Sequence, residues 1–231
     1  MRLVFVGGII RFAVSDTSQQ LPRTLWVGVF LLLIVLCLAY ALSLLEFKHA
    51  HPRNLPSLGQ VAPFSLTNQD NQVTTLADLS NRVWVADIIF TRCAASCPVM
   101  TRQMASLQQA LPPSSKVALV TLTTDPDFDT PEVLKRYGER AGAKTGRWIF
   151  LTGTRVDIAT LAANSLKLSA QPVKPEDRQN DADLFVHSTS FVVVDKDARL
   201  RAIFQTGGDG IDWTNVQPQL IATVRQLERE R

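Results

Sequence analysis

Little charge is left over in this 231-residue chain. Its formal net charge is +3, and that excess lies before residue 58, where Arg2, Arg11, Arg23, Lys48 and Arg53 face only Asp16 and Glu46. The remainder is neutral, with no basic stripe and no aromatics interleaved among cations, so the electrostatic footprint of a nucleic-acid binder is missing. Length is limited too: the chain can fill one well-cored domain with an appendage, not two full-sized ones. No amphipathic seam argues for self-pairing. There is also no Arg- and Ser-rich presequence, which favours a bacterial inner membrane over a mitochondrial one. Cysteine is scarce, with Cys37, Cys93 and Cys97 the only three.

What is present begins with Leu25 to Leu45, LWVGVFLLLIVLCLAYALSLL, a stretch without a charge. At about 1.5 Å per residue it reaches about 31 Å, the thickness of a bilayer core, and reads as a transmembrane helix. A helix apolar on every face is a poor fit to the core of one domain of this size. Ala39-Tyr40-Ala41 has the small-x-small pattern of a signal-peptidase site, but the apolar run continues past it, so a retained anchor is expected. Cys37 lacks the preceding small residue of a lipoprotein signal and reads as lipid-facing packing. The basic residues before the span outnumber Lys48 and Arg53 after it, which orients the amino terminus inside. The expected organisation is a cytoplasmic tail over 1–24, an anchor over 25–45, a linker over 46–57 and a folded domain over 58–231 in the periplasm, where disulfides persist. His49 and His51 fall in the polar linker and read as solvated residues.

Val83 to Phe90 (VWVADIIF) is dense in β-branched and aromatic residues on both faces, as in a central strand covered on two sides. It runs directly into Cys93. After Cys97, Pro98 suits a first helical position, and Met100, Met104, Leu107 and Leu111 recur at helical spacing until Pro112-Pro113, which marks the methionines as core. Val117 to Leu122 reads as a second buried strand, Thr130-Pro131 as a helix start, Trp148 to Leu151 as a strand, and Thr154 with Asp157 as a capping box. Before these, Phe64 to Val73 suggests a small hairpin; after them come a polar stretch over 169–183, a hairpin at Phe191 to Phe204, and a closing helix marked by Val216, Leu220, Val224 and Leu227. Alternating strands and helices around a parallel core make an α/β sheet of thioredoxin type.

Cys93 and Cys97 therefore sit between a buried strand and a helix. That setting is expected to expose both sulfurs at a helix N-terminus and to lower their pKa. Such thiolates either exchange with disulfides or ligate a soft metal. Three intervening residues enlarge the ring that a disulfide would close and give both sulfurs room to converge on one ion.

FTRCAASCP, TTDPDFDTPEVLKRY, FLTG and FVHSTSFVVVDKDARL, in that order, resemble the Sco (SenC) family of copper-delivery and thiol-redox proteins over roughly residues 58–205. The resemblance implies a thioredoxin-like fold behind a single N-terminal transmembrane helix. It implies copper, as Cu(I) or Cu(II), held by Cys93, Cys97 and His187. It also implies delivery to the copper-binding subunit of cytochrome c oxidase, with another copper chaperone or a thiol reductase as further partners. Two thiolates and an imidazole suit copper, whereas a closed zinc site needs a fourth protein ligand that is not identified here. Asp125, in the stretch matching the family's DPxRDTP signature, is expected near the metal face or at a docking surface; helix N-terminal charge explains Asp125, Asp127 and Asp129 equally well. Two departures stand out: Phe128 replaces the family's arginine, and Ala94 the proline after the first cysteine. The alternative is a membrane-bound thiol-disulfide oxidoreductase in which Cys93 and Cys97 are the redox-active pair and His187 tunes their acidity. Peroxide reduction fits less well, because Thr91 is two residues before Cys93 where three are wanted.

Overall fold

The computed structural model describes residues 23–49, 55–174, 176 and 185–230; the side chains of residues 23–25, 41–49, 170, 172, 186 and 187 lie outside that description. The chain divides into two compact units, Met1–Arg53 and Asn54–Arg231. In the first, α1 (Arg23–His49) runs for 27 residues, and each side chain described within it, 26–40, is exposed. Among the described residues no helix is long and apolar enough to cross a membrane, α1 being described with side chains over 26–40 alone. The expected tail before residue 23, and His51 of the linker, lie outside the described residues.

The second unit is built on eight strands ordered β1-β10-β9-β4-β5-β6-β2-β3. These are β1 (Gly59–Gln60), β2 (Ser65–Asn68), β3 (Val73–Thr75), β4 (Trp84–Ile89), β5 (Ala118–Thr123), β6 (Trp148–Thr152), β9 (Ser190–Val194) and β10 (Arg199–Gln205). β4, β5 and β6 run parallel at the centre, with β9 antiparallel to β4 and β2 antiparallel to β6. β7 (Ala170–Pro172) and β8 (Phe185–His187) form a separate antiparallel ribbon.

Every residue of β4 is buried, as its doubly apolar sequence requires, and the pleat divides its side chains between two cores. Val85 and Ile89 face α2 (Cys97–Ala110), α3 (Pro131–Ala141) and α5 (Trp213–Arg229), packing with Met100, Met104, Leu107, Leu134 and Leu220. Trp84, Ala86 and Ile88 face the other side, where α4 (Arg155–Thr160) and a π-helical turn (Leu161–Ser165) supply Ile158, Leu161 and Ala162. The caps follow their sequence signals: Thr130 accepts from the Val133 amide and Thr154 from the Asp157 amide.

Two local features depart from the sequence reading. The polar stretch after residue 168 contributes β7, which exists through pairing with β8 rather than through any apolar period of its own. Arg201 is buried in β10 at a bulge, where the register shifts between Leu200 and Ala202. There its guanidinium donates to Asp195, Glu230 and the carbonyls of Leu55 and Pro56, fixing the start of the domain against its last strand and helix.

Candidate metal centre

β4 ends at Ile89, and its neighbour β5 ends at Thr123, so the loops that follow both strands meet at the carboxyl edge of the parallel sheet, where α/β folds place their sites. The cysteine loop leaves β4 through Phe90, whose carbonyl accepts from the Cys93 amide at 3.2 Å. Cys97 opens α2, Pro98 sits within the first turn, and the Val99 and Met100 amides both donate to the Ser96 carbonyl at 3.0 Å. This brings the two thiols together: Cys93 and Cys97 share a side-chain hydrogen bond, and no disulfide joins them.

The two sulfurs are not equivalent, and the expected exposure of both is corrected here. Cys93 is half-buried, whereas Cys97 is fully buried and belongs to the core cluster with Met100, Phe90 and Ile89. The expected lowering of its pKa is reversed as well. The hydrogen bond with Cys93 pushes the Cys97 thiol far above its ordinary value, and burial pushes it further. Position at a helix N-terminus does lower a thiol pKa, but here desolvation and a shared proton outweigh it. Burial likewise pushes the nearby Tyr137 up to about 12; its hydroxyl lies 2.6 Å from that of Thr101, which in turn donates to the Cys97 carbonyl at 2.9 Å.

Asp125 lies in the loop after β5, 4% exposed, and its carboxylate accepts from Arg92 at 2.5 Å. The guanidinium of Arg92 also covers the ring of Phe128 at 4.1 Å. Arg92 immediately precedes Cys93, so Asp125 meets the cysteine loop through that arginine. Sequence reasoning missed the loop's deeper anchor. Asp129, fully buried, accepts from the Thr91 amide at 3.1 Å, the Thr91 hydroxyl and the Thr123 hydroxyl. Burial raises the pKa of Asp129 despite these bonds. The available signal was positional: Thr130 caps α3, which leaves Asp129 without capping work.

His187 is described through its backbone, as the last residue of β8 opposite Ala170. Its side chain lies outside the described residues. Two residues earlier, Phe185 packs edge-on against Phe90 with centroids 5.4 Å apart, which sets β8 against the root of the cysteine loop. On the other side, the Ser188 amide donates to the Ser169 carbonyl at 2.8 Å, and Thr189 is tied to Thr206 and Gly207 of the segment after β10. Met100 and Met104 are core, as expected. Among the described residues no group of three or more His, Cys, Asp or Glu is placed to hold a metal ion.

The sequence matches the SCO1/SenC family over residues 55–220. A SCO1 homologue from Bacillus subtilis is 34% identical over 143 residues, 61% of this chain and 71% of the homologue. Among solved structures, BsSco, described as a Sco-family cytochrome c oxidase assembly protein with a disulfide switch, superposes with a TM-score of 0.63 at 27% identity. That match covers 77% of this chain and 99% of BsSco. The copper-bound ScoI of Bradyrhizobium japonicum shares the fold at 19% identity and a TM-score of 0.60, covering 73% of this chain and 99% of ScoI. The fold is therefore the thioredoxin-like one of these proteins, and the chain belongs to the SCO1/SenC family.

Proposed function

We propose that the protein is a membrane-anchored copper metallochaperone that carries one copper ion as cargo on Cys93, Cys97 and His187 and passes it to the copper-binding subunit of a cytochrome c oxidase. The observation that carries this reading is the meeting of two hydrogen-bonded thiols at the carboxyl edge of the sheet, one half-buried and one buried. Two adjacent soft sulfurs suit copper, and the buried one shields the bound ion from solvent while the other remains open to ligand exchange. Cys97 must lose its proton when the metal binds, so uptake releases protons. Copper in relatives such as ScoI supports the same cargo here. The apolar run of residues 25–45 supports a single-pass anchor in a bacterial inner membrane, with 1–24 cytoplasmic, 46–57 a linker and the domain from 58 onward periplasmic. Asp125 acts indirectly, by holding Arg92 beside the first cysteine.

The asymmetry of the pair also favours a second reading as a thiol-disulfide oxidoreductase, with Cys93 the attacking and Cys97 the resolving thiol. Titrating the full-length protein in detergent with Cu(I), before and after oxidation of the pair, separates the two. The chaperone reading expects one copper per reduced chain and none per oxidised chain. Catalytic reduction of a disulfide substrate by metal-free protein that retains no copper would instead establish the oxidoreductase.

A further inference from the structure

Beside the cysteine loop runs an open groove of about 750 Å³ between the loop after β4 and the exposed face of α3. Its floor is apolar, with Phe128 43% exposed and Val133 next to it. Its walls carry Arg92, Arg136 and Arg140 against a single carboxylate, Glu139. Arg136 and Arg140 are exposed, one turn apart on α3, while Arg92 is held in place by Asp125 and by the Phe128 ring.

We infer that this groove is the docking surface for an acidic, extended segment of the protein that exchanges thiols or copper with Cys93. This rests on the exchange chemistry proposed above. Guanidinium groups recognise carboxylates with paired, directional hydrogen bonds, and the exposed Phe128 ring beside the half-buried Val133 offers an apolar contact. The domain beyond residue 58 is neutral as a whole, these arginines included, and Asp125 already pairs with Arg92, so it is the exposed Arg136 and Arg140 that give the groove its cationic character and select partners by charge. Thr91 and Arg92, the two residues before Cys93, line the groove, so a chain bound there lies alongside the cysteine loop. Asp125, considered at first as a docking group, has its carboxylate occupied by Arg92; the contacts to a partner come from the arginines.

The test uses the reduced full-length protein in detergent and two short peptide disulfides that differ only in carrying aspartates or lysines around the cysteine. The Cys93 thiolate bonds to one peptide sulfur and expels the other peptide as a thiolate. Cys97, deprotonated, then attacks Cys93, closing the protein disulfide and releasing the second peptide thiolate. Two electrons pass from protein to peptide, and the two thiol protons go to the released thiolates or solvent. The acidic peptide is expected to react roughly tenfold faster than the lysine one at low ionic strength. That advantage disappears in the Arg136→Ala/Arg140→Ala double variant and in high salt, while a small neutral disulfide oxidises native and variant protein at the same rate. Equal rates for the two peptides on native protein would overturn the docking surface and leave the exchange reading intact. A pair that even the neutral reagent cannot oxidise would overturn the exchange reading, and the docking inference with it.

Discussion

Replacing Asp129 by alanine removes the acceptor for three donors that fix the start of the cysteine loop. The Thr123 hydroxyl is fully buried, so its loss leaves an unsatisfied group at a cost of about 1–3 kcal/mol. Thr91 is half-buried, and water recovers part of what its amide and hydroxyl lose. Together with the space left behind, the destabilisation is roughly 3 kcal/mol, a fall of about 6–12 °C in Tm for a domain of this size. Urea unfolding followed by tryptophan fluorescence measures it, with an unchanged m-value expected. Asp129→Asn keeps one acceptor oxygen and loses less. The pH dependence supplies a second check. Burial raises the folded pKa of Asp129 above the unfolded one, so proton uptake favours the native state. That contribution is complete below the ordinary carboxylate range and is lost as pH rises through the raised value. Native protein therefore gains on Asp129→Asn as pH falls from neutral toward 4. A loss under about 1 kcal/mol for Asp129→Ala, together with a stability difference between native protein and Asp129→Asn that does not change with pH, would refute the anchoring role.

Three further outcomes are expected. Arg201→Met breaks a buried ion pair and strips two carbonyls of their donor, and costs about 3 kcal/mol in urea unfolding; the bonds from Arg199 that Asp195 keeps place this at the low end of the usual 3–5 kcal/mol. Gly138→Ala puts a methyl carbon 2.7 Å from the Phe150 ring, which is stacked on Trp148, and costs about 1–3 kcal/mol together with a change in near-ultraviolet circular dichroism. Iodoacetamide alkylates Cys93 of native reduced protein well before Cys97, as mass spectrometry of digests taken over time would record; equal rates contradict the asymmetry of the pair.

The parts of the site legible in sequence are those set by local signals. VWVADIIF announces a strand buried on both faces, and Pro98 followed by apolar residues at helical spacing announces the helix, so the cysteines were placed between them from composition and period alone. Burial of Cys97 was not legible, because it depends on how the first turn of α2 tucks under Phe90 and Ile89. Asp129 was hidden for a related reason: Thr91, its main partner, is 38 residues away, and an acid before an N-cap looks like a helix-terminal charge. The strand β7 lies in a polar run with two prolines and is defined by its partner. Arg201 could not be read as interior, since only the bulge in β10 turns its guanidinium toward Asp195. The resemblance to a family supplied His187, which no spacing in the chain singles out.

On the proposed function, His187 completes a copper site with the cysteine pair. The most direct measurement is the copper stoichiometry and visible absorption of the reduced full-length protein loaded with Cu(II), beside its His187→Ala variant. One copper per chain with thiolate-to-copper charge-transfer bands is expected in the native protein, and loss of both in the variant, while its disulfide chemistry persists. Unchanged copper affinity and an unchanged spectrum in the variant would contradict it.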